Sequence, residues 1–173
     1  QGAMNTNIYN YQQGQPGEHQ MVITISGLGA DGMMHSHFGS DSFGTFSGED
    51  LRFLYLINRS GHMRDYKTFT STVVTAHGTS YSLKITDLSA FISFANTHFS
   101  SDAAFTNFEH EYNVQREALF FLPEAQKAEM ALLNMIRDSG LMLFKGNSNF
   151  TNWQAIERPN PNTLTVINAD CTS

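Results

Sequence analysis

Residues 69–76 and 80–86 are two strand-like runs separated only by His77-Gly78-Thr79. A connection this short, built around a glycine, reverses the chain tightly, so the two runs form a β-hairpin and the rest of the chain must build on a sheet. The next stretch is helical in period. Asp87 or Ser89 caps a helix to about residue 96, and residues 106–120 and 124–139 form longer ones, the last with Pro123 at its start and Gly140 just past its end. Strand returns over residues 141–145 and 164–168. Upstream, Val22-Ile23-Thr24-Ile25 predicts a strand over residues 21–26, followed by a turn at Gly27, Gly29 and Gly32. Residues 33–38 are the next strand, joined to the first as a hairpin. Ser47 then opens a helix whose Leu51, Leu54, Tyr55 and Ile57 share a face and which Ser60-Gly61 ends. This order gives a mixed α+β domain, without internal repeat or low-complexity tract.

The 173 residues are 40% hydrophobic and 12% aromatic, enough to bury one core, so a single domain over residues 5–173 is expected. Residues 1–4, Gln-Gly-Ala-Met, look like the remnant of a cleavable expression tag, with the natural protein beginning upstream. Within the domain, residues 21–86 carry the chemistry-bearing motif, residues 87–140 a helical extension and residues 141–170 the closing strands. Ten Lys and Arg against 16 Asp and Glu give a net charge of −6, which argues against a phosphate-binding surface and against nucleic acid as a partner. The lone Cys171 cannot form an internal disulfide, which leaves the compartment open between cytosol and secretion. No segment approaches the roughly 18 apolar residues of a membrane span, so a soluble chain is expected.

Residues 35–50 hold the sharpest motif. Along a strand, side chains two positions apart project from the same face, so His35 and His37 can reach one metal ion. Catalytic zinc commonly takes three protein ligands and leaves its fourth position to water; Asp50 would complete a His-His-Asp set. Taken alone, Ser47-Gly48-Glu49-Asp50 is also the capping box that begins many ordinary helices.

His35-Ser36-His37, a Gly- and Ser-rich loop, and Phe46-Ser47-Gly48-Glu49-Asp50-Leu51 together resemble the signature of the JAMM zinc metallopeptidases, also called MPN or JAB domains, in a divergent bacterial form. The resemblance covers residues 21–86. It implies a JAMM-like mixed sheet flanked by helices, with Zn2+ held by His35, His37 and Asp50. It also implies that Ser47 hydrogen-bonds the metal-bound water or the developing oxyanion, and that a glutamate on an earlier segment serves as general base. Glu18 is the sole glutamate ahead of the histidines. The spacer departs from the family: nine residues, 38–46, separate His37 from Ser47 where seven are usual. The implied activity is hydrolysis of peptide or isopeptide bonds in a protein or peptide substrate, the chain being a C-terminal domain of a larger protein.

Two other readings use the same residues. The chain could keep the fold as a binding or scaffold module, with Glu18→Gln separating the two: a peptidase keeps metal and loses turnover, a scaffold loses neither. Gly29, five residues and His35-x-His37 also match the opening of a cupin metal motif, but the helical residues 87–139 do not suit an all-β barrel. Glu109-His110-Glu111 is expected on the solvated face of a helix. His19, His62, His77 and His98 are expected as surface or core residues. Phe91, Phe94, Phe99, Phe105, Phe108, Phe120 and Phe121 are expected to pack against the sheet.

Overall fold

A computed structural model describes residues 9–13, 23, 25, 29–38 and 42–169. Ten elements follow one another: β1 (Gly32–His37), α1 (Gly48–Arg59), β2 (Thr70–Thr75), β3 (Ser80–Ile85), α2 (Leu88–Phe99), α3 (Asp102–Glu117), α4 (Glu124–Met135), β4 (Leu141–Gly146), β5 (Trp153–Glu157) and β6 (Ile167–Asn168). The strands lie side by side in chain order in one six-stranded sheet. β1 and β2 are parallel, with His35 opposite Val73 and His37 opposite Thr75, and every later pair is antiparallel. A parallel pair needs a long crossover, and α1 supplies it. The result is an α+β fold.

The expected hairpin is present: Val73 faces Tyr81 and Val74 faces Ser80, with Gly78 at φ 76 in the reversal, where any side chain would be strained. The strand expected over residues 21–26 lies largely outside the described residues; Ile23 and Ile25 are described and belong to no strand. Among the described residues the pairing partner of β1 is β2 and not a preceding strand.

Side chains of facing partners share a side of the sheet, so Met33, Val73, Tyr81, Leu83, Leu143 and Ile156 form one apolar face. The same core takes Leu51, Leu54, Tyr55 and Ile57 of α1, Phe91, Ala95 and Phe99 of α2, Phe105, Phe108 and Tyr112 of α3, and Ala131, Leu132 and Leu133 of α4. The four helices therefore cover the face from which His35 and His37 project. Fully burying a Leu or Phe contributes about 1.5–3 kcal/mol, so this single layered core holds the fold together.

Phe99 and Phe108 meet edge to face at 5.1 Å between ring centres, as do Phe94 and Phe108 at 5.9 Å. Phe120 and Phe121 depart from the expected packing. They stack edge to face on each other in the turn after α3 and are 82% and 58% exposed.

Asp87, one of the two expected caps, opens α2 and α4 begins after Pro123 as expected, but the start of α3 and the helix ends shift. α2 is capped by Asp87 and runs to Phe99, three residues beyond the expected end. α3 starts at Asp102 because the Ser101 hydroxyl accepts from Ala104 N–H, and it ends at Glu117. α4 stops at Met135, after which turns carry the chain through Asp138 and Gly140 at positive φ. β5 was not anticipated, and of the strand expected over residues 164–168 only Ile167–Asn168 pairs. Among the described residues no helix is long and apolar enough to cross a membrane.

Candidate metal centre

His35 and His37 leave β1 on the helix-covered face, and Asp50 meets them from the first turn of α1. His35 Nε2 stands 2.9 Å from Asp50 Oδ1, His37 Nε2 stands 3.2 Å from Asp50 Oδ2, and the two Nε2 atoms are 3.2 Å apart. All three side chains are mostly buried, between 15% and 19% exposed. Among the described residues this is the one group of three His, Cys, Asp or Glu side chains whose ligand atoms converge, all within 4.8 Å of one another.

The spacing suits a small tetrahedral cation. With zinc–nitrogen and zinc–oxygen bonds of about 2.0–2.1 Å, ligand atoms at tetrahedral angles stand roughly 3.3–3.4 Å apart. The donor set, two imidazoles and one carboxylate, is also one that zinc accepts. The residues fit the metal.

A second layer orients two of the three side chains, His37 and Asp50. His37 Nδ1 lies 3.2 Å from the Phe43 carbonyl; a carbonyl can only accept, so Nδ1 carries a proton, and Nε2 faces the centre as a lone pair when the ring is neutral and as an N–H toward Asp50 when it is charged. Asp50 Oδ2 accepts from both the Ser47 backbone N–H and the Ser47 hydroxyl, each at 2.7 Å, while Asp50 N–H donates back to Ser47 Oγ at 3.3 Å. This is the capping box expected from the sequence, and it places Ser47. Its one hydroxyl proton lies on Asp50, which fixes the carboxylate and leaves Oδ1 turned toward His35.

The electrostatics follow from that geometry. Burial opposes ionisation of Asp50, but hydrogen bonds from His35 and His37 and their charge outweigh it and hold the carboxyl far below the ordinary carboxylate range. Burial likewise disfavours charged His37, yet Asp50 and the Phe43 and Thr45 backbone more than compensate, so its pKa is raised. Three lone-pair groups facing one point call for positive charge between them, a proton or a metal ion.

The nine-residue spacer is clamped from two sides. Gly44 passes so close to α4 that a β-carbon there would stand 2.7 Å from Ala125 Cα, and only glycine allows the approach. Thr79 Oγ1 donates to the Gly44 carbonyl at 3.1 Å, and His77 Nε2 reaches the Ser42 carbonyl at 3.0 Å. From α3, the Tyr112 hydroxyl donates to the Phe46 carbonyl and the Arg116 guanidinium lies 4.3 Å over the Phe43 ring. These residues were not singled out in the sequence; the turn histidine was the only hint, since contacts across more than 30 positions leave no local pattern.

Glu18 lies outside the described residues. Of Glu109-His110-Glu111, His110 and Glu111 are exposed on α3, as expected of a solvated face. His62 bonds to Ser60, and His98 packs on the rings of Phe94 and Phe108. No family model, no curated protein and no solved structure matches the chain.

Proposed function

We propose that the chain is a zinc-dependent hydrolase of peptide or isopeptide bonds, similar in its site to the JAMM metallopeptidases. The observation that carries this reading is the meeting of His35 Nε2 and His37 Nε2, 3.2 Å apart, with the two oxygens of the Asp50 carboxylate, 2.9 Å from His35 and 3.2 Å from His37, on the buried side of an edge strand. Zinc bound there would lower the pKa of a water ligand and polarise a substrate carbonyl. The chain's own contributions are positional. Phe43 fixes the His37 tautomer, Ser47 fixes the Asp50 carboxylate, and the Gly44 and Phe46 anchors keep the loop from drifting away from the histidines. Glu18, the sole glutamate ahead of the histidines, is assigned the proton-accepting role.

A non-catalytic, metal-holding scaffold is the second reading, and the Ser47 hydroxyl favours it: with its proton on Asp50 it has none for a developing oxyanion unless that bond breaks. Elemental analysis of protein purified without a nickel column, followed by zinc titration, tests the metal assignment. About one zinc per chain is expected, lost in His35→Ala and His37→Ala; absence of metal together with no uptake on titration would overturn it. Glu18→Gln then separates the two readings, keeping metal in both and removing peptide cleavage only in the first.

A further inference from the structure

The sheet ends on two unlike edges. β6 is only two residues long, which blunts that side. β1 is six residues long, keeps unbroken register with β2 from Gly32 to His37, and carries no proline, lysine or carboxylate. Sheet edges are ordinarily protected by shortness, charge, proline or a bulge, because a bare row of N–H and C=O groups invites another strand. β1 has none of these protections.

The ladder identifies the groups on offer. Ala76 N–H donates to the His37 carbonyl at 2.9 Å, one position past Thr75, the residue opposite His37. Along a strand, alternate residues turn their main-chain groups to opposite sides, so His37, His35 and Met33 bond to β2 while Ser36 and Met34 face outward. Among the described residues no hydrogen bond reaches the Met34 or Ser36 main chain on that side. Met34 is 70% exposed, and Ser36 is exposed as well. Ile23 and Ile25, expected in a strand beside this edge, belong to none.

The position of the edge says what would use it. The outward residues alternate along β1 with the two imidazoles, and a strand paired to them lies roughly 4.8 Å away. It would run beside His35, His37 and Asp50, whose side chains keep 15–19% exposure. Main-chain pairing recognises extended polypeptide whatever its side chains. A second copy of the chain seated there would occupy the approach to the cluster, whereas a substrate would be delivered to it.

We propose that an extended segment of the polypeptide substrate binds by adding as a strand to the outer edge of β1, its main chain on Met34 and Ser36. That the occupant is a substrate rests on the hydrolase reading above. Strand addition itself needs no metal and is measured without it.

The probe is a short fluorescein-labelled peptide of alternating threonine and valine with lysine at each end, titrated by fluorescence anisotropy against the whole chain in chelator. Saturable binding is expected. Methylating adjacent central amide nitrogens of the peptide blocks both of its edges and should weaken binding at least tenfold. Met34→Pro removes an outward donor from the protein; proline is tolerated where an edge strand turns its N–H to solvent, so this variant should fold and also lose at least tenfold. The methylated peptide decides the matter if Met34→Pro does not fold. The proposal is overturned by absence of saturation, by equal binding of the methylated peptide, or by equal binding to folded Met34→Pro. Sedimentation that shows a dimer dissociated by Met34→Pro overturns it too, and gives the edge to a second copy. Zinc titration of the same protein reads the metal assignment separately: peptide binding without zinc uptake ends the hydrolase reading and leaves strand addition standing.

Discussion

The Tyr112 hydroxyl, buried on α3, donates to the Phe46 carbonyl at 2.8 Å, one residue ahead of the serine that caps α1. Sixty-six positions apart in the chain, these two residues tie the helical layer to the loop that delivers Asp50. Burial raises the Tyr112 phenol far above its ordinary pKa, so it stays a donor at any working pH.

Tyr112→Phe removes that donor and leaves a carbonyl buried without it. A loss of about 1–3 kcal/mol is expected in denaturant unfolding. Zinc affinity should fall as well, because the loop then holds Asp50 less firmly. Unchanged zinc affinity in a destabilised protein would restrict Tyr112 to the fold.

Metal-free and zinc-loaded protein should respond to pH in opposite directions. His37 has a raised folded pKa, so its contribution is complete below the unfolded value of about 6.5 and is lost as pH rises through the folded value. Asp50 has a lowered one, so its contribution is present above the unfolded value of about 3.9 and is lost as pH falls. The metal-free triad is therefore most stabilising between about pH 4 and 6.5. Zinc needs deprotonated imidazoles, so its stabilisation grows over that upper range. Melting temperatures measured from pH 5.5 to 8 should fall in chelator relative to a His37→Gln control and rise with zinc. Parallel curves would remove the coupling between these groups.

Ser47→Ala deletes both halves of the hydroxyl's work, the cap on Asp50 N–H and the bond to Asp50 Oδ2. About 1 kcal/mol of stability should be lost, with weaker zinc binding. Ser47→Thr keeps a hydroxyl at the cap and should restore most of both. If Ser47→Ala binds zinc as tightly as the parent and loses only turnover, the serine acts on substrate and not on Asp50.

Glu129, 6% exposed on α4, accepts from the Tyr81 hydroxyl at 2.8 Å and from the Lys145 ammonium at 2.6 Å. Removing the acceptor strands a phenol in the core and half-frees a lysine. Glu129→Ala should cost about 2 kcal/mol by urea unfolding, and Glu129→Gln less, since an amide oxygen still accepts. Equal losses for both variants would mean that charge, and not hydrogen bonding, holds this trio.

The local part of the site was legible in the sequence. Period two placed His35 and His37 on one face, and the Ser-x-x-acid spacing placed Asp50 in a first turn; two short-range rules thus brought three candidate ligands together. The hairpin at residues 77–79 was legible for the same reason, a glycine in a short reversal. What escaped was non-local. The parallel pairing of β1 with β2 depends on the crossover through α1, not on either strand's own pattern. Phe120 and Phe121 carry the composition of core residues, and only their place in a turn after the last residue of α3 puts them in solvent. The early start of α3 turned on Ser101, one of a run of capping residue types, Ser100, Ser101, Asp102 and Thr106, that local sequence does not rank.

Asp50 serves two masters, closing the first turn of a helix while facing two imidazoles. A descendant that had no use for the cluster would still need that acid to begin the helix, and would keep it. The imidazoles begin no helix, and they are where a lineage with no use for the centre would change first.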